Sequence, residues 1–113
     1  MKKISLKKDE QTKVLVKYDN FTRIFKMRWT LYVNGALVLF RSYGNEVAQN
    51  TLYLNHTNQS FRVPLKPKGT DMHSVAYLLV RFKDFDYKNN RAIFEIFLSD
   101  EKSQIQMEYL KND

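Results

Sequence analysis

The sequence predicts an all-β protein: an antiparallel β-sandwich of seven to eight strands, with a small β-barrel as the alternative. Three observations carry that expectation. Apolar and polar residues alternate at period two along most of the 113 residues, and no run of ten or more shows apolar side chains at helical spacing. Aromatics reach 14%, with eight Phe and seven Tyr, which suit a pleated, half-buried surface, while Gly (three) and Pro (two) are scarce. Turn signals separate eight short alternating runs, the pattern of a sandwich or barrel.

Residues 1–11 (MKKISLKKDEQ) read as a flexible N-terminal segment, and residues 12–113 as a single sandwich domain. The first strand spans about 12–18 (TKVLVKY) and the second about 22–33 (TRIFKMRWTLYV), followed by a third over 36–43 (ALVLFRSY). Asn34-Gly35 joins the last two, because a two-residue type I′ turn needs positive φ at both centres. That turn sets a register: Val33 opposite Ala36, Leu31 opposite Val38, Trp29 opposite Phe40 and Met27 opposite Ser42. Phe25, Met27, Trp29, Leu31, Val33, Val38 and Phe40 then share one apolar face, the expected core, with Trp29 and Phe40 as a cross-strand aromatic pair.

Further strands are expected at about 50–55, 60–65, 74–83, 91–98 and 103–110. Pro64 cannot donate to a ladder, so the strand at 60–65 reads as an edge strand, with a turn at KPKGTD after it. VAYLLVRF (75–82) is apolar on both faces and reads as a central strand. A four-residue loop, Ser99 to Lys102, predicts a second hairpin pairing Leu98 with Ser103, Ile96 with Ile105 and Phe94 with Met107.

Several chemistries are excluded. Without Cys there is no disulfide, thiolate nucleophile or Cys-ligated metal. Only His56 and His73 supply imidazoles, neither at metal-ligand spacing, and no G-x-S-x-G elbow is present. With Gly at 35, 44 and 69 only, no phosphate-cradling glycine motif can be written. KDFDYKNN (83–90) has the acidic and amide side chains of a calcium loop but lacks its glycine and closing Glu, so an Asx-rich turn is expected. The Asn-x-Ser/Thr triplets at Asn20, Asn55 and Asn58 read as chance in an Asn-rich chain. No catalytic residue, cofactor or metal is expected, and the chain does not read as an enzyme.

Net charge is +7, and residues 1–70 carry the excess, with 13 basic and 4 acidic groups. Such a surplus attracts anionic partners. The register that buries Trp29 sets Tyr32 opposite Leu37, Thr30 opposite Leu39, Arg28 opposite Arg41 and Lys26 opposite Tyr43 on the other face. Lys26, Arg28, Tyr32, Leu37, Leu39, Arg41 and Tyr43 therefore form the candidate binding face: apolar near the turn, cationic beyond it, and suited to an acidic protein surface.

In its strand layout from about Lys13 to Leu110 the chain resembles the small, disulfide-free immunoglobulin-like domains of some bacterial envelope lipoproteins, though the Cys pair of antibody domains is absent. The resemblance implies an immunoglobulin-like sandwich serving as a non-catalytic protein-interaction module of a bacterial cell envelope. The module would bind a protein partner through a sheet face or an edge strand. The alternative is a single-stranded nucleic-acid or polyanion binder using Lys17, Lys26, Arg28 and Arg41 with Tyr32 and Tyr43 as stacking surfaces. The start has no apolar run of signal-sequence length and no window reaches the 18 apolar residues of a membrane helix. A periplasmic or outer-membrane-anchored location then implies a targeting segment ahead of residue 1; otherwise a cytoplasmic one is expected.

Overall fold

The computed structural model describes residues 1–18, 21–65, 75–101 and 104–112. Nine strands run through them: β1 (Lys2–Lys7), β2 (Thr12–Tyr18), β3 (Phe21–Val33), β4 (Ala36–Tyr43), β5 (Glu46–Tyr53), β6 (Ser60–Pro64), β7 (Tyr77–Asp86), β8 (Arg91–Ser99) and β9 (Ile105–Tyr109). They form two antiparallel sheets, a four-stranded one in the order β1-β8-β7-β6 and a five-stranded one in the order β5-β4-β3-β2-β9. This is the β-sandwich that the alternation predicts, with one cluster of buried side chains drawn from both sheets. Strands β2 to β5 run as a meander within one sheet and β6 to β8 within the other. In immunoglobulin domains the third strand already crosses to the second sheet.

The N-terminal segment is a strand, contrary to the expectation of a flexible stretch. Residues Lys2 to Lys7 pair with β8, with Ile4 opposite Phe94 and Leu6 opposite Ala92. Four lysines hide this in the sequence, because the inward alternation consists of Ile4 and Leu6 alone, both buried. The turn after β1 is fastened on both sides. The Lys7 amide donates to Glu10 Oε1 at 2.9 Å, and the Asp9 amide donates to the Trp29 carbonyl at 2.8 Å.

The Asn34-Gly35 turn forms as predicted, with φ of 53° and 80° at its two centres, and Val33 faces Ala36, Tyr32 faces Leu37 and Leu31 faces Val38. Beyond that point the register slips. A bulge between Trp29 and Leu31 leaves Thr30 extra, so Trp29 faces Leu39, Arg28 faces Phe40, Met27 faces Arg41 and Phe25 faces Tyr43. An inserted residue exchanges the faces of a strand on one side of it. Trp29 and Tyr32 thus point to the same side, and their partners on β4, Leu39 and Leu37, are fully buried.

A second bulge lies between Phe82 and Asp84 of β7, so that Phe82 and Phe85 both point inward. The two bulges meet across the sandwich. Tyr32 stacks on Phe85 (centroids 4.0 Å apart), Trp29 meets the same ring edge-on at 5.5 Å, and Tyr32 contacts Phe82 edge-on at 6.0 Å. Trp29 Nε1 donates to the Leu6 carbonyl at 2.8 Å, which leaves no unsatisfied donor in this aromatic cluster's largest ring.

Two other expectations are settled by the pairing. Strand β7 is central and β6 is an edge strand, as Val75 to Phe82 and Pro64 predict. The second hairpin does not form: β8 pairs with β1 and β7, whereas β9 crosses to the other sheet and pairs with β2, Val16 facing Met107. Alternation shows which side chains share a face but not which strand lies alongside. The crossover is held by Asp100, whose Oδ2 accepts from the Ile105 amide at 2.7 Å. The KPKGTD turn and His73 lie outside the described residues.

Candidate functional site

The candidate face predicted from the sequence is divided between the two sides of the five-stranded sheet. Leu37 and Leu39 have no exposed surface, and Tyr43 is 4% exposed. The Tyr43 hydroxyl donates to the Leu65 carbonyl at 2.7 Å, and burial pushes its pKa up to about 12. Arg41 also turns inward. Its Nε donates to Asn50 Oδ1 at 2.7 Å and its guanidinium sits 4.6 Å from the Phe61 ring centroid. Removal from water lowers its pKa below the ordinary arginine value, against the opposing charge of Glu46.

Tyr32 belongs to the interior cluster as well. Its hydroxyl lies 2.7 Å from that of Tyr87, and burial, followed by that hydrogen bond, pushes its pKa up to about 12. Of the seven predicted residues only Lys26 and Arg28 lie on the outer face of the sheet. The cause is the Thr30 bulge: the register set by the turn does not extend past Leu31.

A mixed apolar and cationic face nevertheless exists, built from other residues. The partners read across the outer side of β3, β4 and β5 are Val33, Ala36 and Tyr53; Leu31, Val38 and Thr51; Arg28, Phe40 and Gln49; Lys26, Ser42 and Val47. Leu31 (49%), Val33 (48%), Phe40 (37%), Val47 (76%) and Tyr53 (37%) are exposed. Most of the large apolar side chains exposed among the described residues are therefore gathered on three neighbouring strands of one face, where scattered exposure would need no explanation.

Cations border this stripe. Arg28 lies with its guanidinium 5.8 Å from the Phe40 ring centroid and its Nη1 3.1 Å from Asp9 Oδ1. Both members of that ion pair are about half exposed, so it orients Arg28 more than it stabilises the fold. Lys26 faces Lys13 on β2. A shallow depression of about 340 Å³ lies here, its lining including Lys26, Arg28, Phe40, Ser42 and Val47.

The outer face of the four-stranded sheet is different in kind. Arg81 and Glu95, cross-strand partners on β7 and β8, form an ion pair at 3.5 Å, and Arg62 covers the Tyr77 ring at 4.7 Å. Arg62, Arg81, Glu95 and Tyr77 are thus engaged within the sheet.

Sequence reasoning missed Leu31, Val33, Val38, Phe40, Val47 and Tyr53 as surface residues. Both faces of the β3–β4 hairpin are rich in apolar side chains, so hydrophobicity alone does not choose between them. The available signal was the strand at 46–53, whose alternation places Val47 and Tyr53 outward once Leu52 is taken as core.

Among the described residues no group of three or more His, Asp or Glu side chains is arranged to hold a metal ion. The residues resembling a calcium loop form a turn, in which Asp86 accepts from the Asn89 amide at 3.2 Å and from Asn89 Nδ2 at 2.8 Å. Those bonds from Asn89 lower the Asp86 pKa. His56 lies in the loop after β5, where its Nδ1 accepts from the Asn58 amide at 3.3 Å. No protein-family model matches the chain, and neither the curated proteins nor the solved structures include a significant match to it.

Proposed function

We propose that the protein is a non-catalytic interaction module that binds an acidic protein segment on the outer face of the five-stranded sheet. The observation that carries this reading is the stripe of Leu31, Val33, Phe40, Val47 and Tyr53 beside Lys26 and Arg28. Apolar side chains at the centre of such a contact contribute affinity by losing water, and the bordering cations select an acidic partner and speed its approach. The chain's +7 charge favours the same partner. The resemblance to envelope lipoprotein domains supports a bacterial-envelope setting for that contact.

The nucleic-acid alternative loses its stacking groups. Trp29 and Tyr43 are buried and hydrogen-bonded, and Tyr32 is stacked on Phe85. Among the described residues Phe40 is the ring beside the outer cations, and Arg28 covers it.

The test is fluorescence anisotropy with a labelled peptide of alternating Glu and Leu. The wild-type protein binds it more weakly as salt rises. Arg28→Glu combined with Phe40→Ala weakens binding by about tenfold or more, since two central contacts each worth over 1 kcal/mol are lost. Unchanged binding in that double variant discards the face, and preference for a single-stranded oligonucleotide over the peptide restores the alternative.

A further inference from the structure

We infer that the protein pairs with a second copy of itself along β5, so that the two five-stranded sheets become one continuous sheet. This inference is independent of the acidic-partner reading and rests on the sheet edges. The four edge strands are β1, β6, β5 and β9, and no described strand pairs with β5 on its far side.

Edge strands present unpaired N–H and C=O groups, and proteins guard them with charge, proline or brevity. The guards are present on three of the four. Strand β1 carries Lys2, Lys3 and Lys7; β6 has five residues including Arg62 and Pro64; β9 has five residues including Glu108. Strand β5 has eight residues, no proline, and after Glu46 no charge. In a chain of net charge +7 two copies repel each other, and the uncharged edge is where that repulsion is least.

The backbone states which residues are available. The Tyr53 amide donates outward to the Asn58 carbonyl at 3.0 Å and not to β4. Hydrogen-bonding direction alternates along a strand, so Val47, Gln49 and Thr51 also aim their N–H and C=O groups away from β4.

A two-fold axis perpendicular to the sheet keeps each face on its own side and therefore pairs residues of like orientation. With the axis at Asn50, Gln49 and Thr51 of opposite copies exchange backbone hydrogen bonds. Ala48 then lies beside Leu52 of the other copy, and the paired stretch ends there, because the Asn58 carbonyl occupies the far side of Tyr53. Glu46 falls beyond the paired stretch, away from the other copy's Glu46. The arrangement also brings the two apolar stripes side by side, because Val47 and Tyr53 lie on the edge strand as well as on the outer face.

The test combines mass measurement with a crosslink. Sedimentation equilibrium of the wild-type chain shows a concentration-dependent species of twice the monomer mass. Thr51→Pro, which removes an N–H directed away from β4, is monomeric with an unchanged strand signal in circular dichroism. In this cysteine-free chain, Asn50→Cys forms an intermolecular disulfide on mild oxidation because the two residues face each other as a non-hydrogen-bonded pair. Gln49→Cys and Thr51→Cys do not crosslink as fast. A wild-type chain that stays monomeric at high concentration overturns the inference. So does a folded Thr51→Pro chain that still dimerises, or a dimer in which Asn50→Cys fails to crosslink. None of these outcomes bears on peptide binding by Arg28 and Phe40, which remain separately measurable.

Discussion

The ring of Tyr32 lies parallel to that of Phe85, with centroids 4.0 Å apart and planes 12° from coplanar, although the two residues come from different sheets. Each reaches this position because a bulge precedes it, at Thr30 in β3 and at Lys83 in β7. The contact therefore records the register change that turns Leu31, Val33 and Phe40 outward. Phe85→Ala is expected to cost about 3–5 kcal/mol in urea unfolding, as removal of a buried aromatic does. Tyr32→Phe keeps the stack and loses one hydroxyl contact with Tyr87, for about 1 kcal/mol or less. Equal costs for the two would show that the stack does not hold the sheets.

Neighbouring residues on β4 separate stability from binding. Leu39→Ala empties a fully buried position and is expected to cost about 2–5 kcal/mol, with peptide binding retained by the folded fraction. Phe40→Ala, on the outer face, changes stability by about 0.5 kcal/mol or less and weakens the peptide. Thermal melts and anisotropy on the same samples check both outcomes.

Alkaline pH probes the buried phenols. The Tyr43 pKa is raised by burial from 10.0 to about 12. The native state keeps this proton where the unfolded chain has released it, so the stabilisation is complete below pH 10 and is lost as pH rises from 10 towards 12. The loss is on the order of 2 kcal/mol. Tyr32, raised in the same sense, adds to it. Tyr43→Phe is expected to be less stable at pH 7, having lost its bond to Leu65, and to show a flatter decline above pH 10 in denaturant titrations.

Removing residues 1–7 tests the first strand. The deletion takes away buried Ile4 and Leu6, uncovers β8, and leaves Trp29 Nε1 without its acceptor. A loss of about 3 kcal/mol or more is expected, a large part of a small domain's net stability. The chain's single tryptophan reports it directly, through a red-shifted emission as Trp29 meets water. A truncated chain with native emission and melting temperature contradicts the role given to β1.

Much of the fold was legible because alternation is a direct imprint of a half-buried strand. Strands β2 and β4 run over the predicted residues, and the Asn34-Gly35 turn formed because those two residues tolerate positive φ. Strand β1 was illegible because Ile4 and Leu6 are too few to outweigh four lysines. The bulges were illegible because Thr30 and Lys83 are ordinary strand residues, and what places them as extras is contact between the sheets. The candidate face inherited that gap. Tyr32, Leu37, Leu39, Arg41 and Tyr43 belong inside, and Leu31, Val33, Phe40, Val47 and Tyr53 line the outer face beside Lys26 and Arg28.

Amide chemical-shift mapping of the isotopically labelled protein during titration with the Glu-Leu peptide tests the binding face most directly. The predicted result is a contiguous set of shifts at Lys26, Arg28, Leu31, Phe40 and Val47, with the four-stranded sheet unchanged. Shifts centred on Arg62, Arg81 and Glu95 of the four-stranded sheet, or no shifts at all, would contradict it.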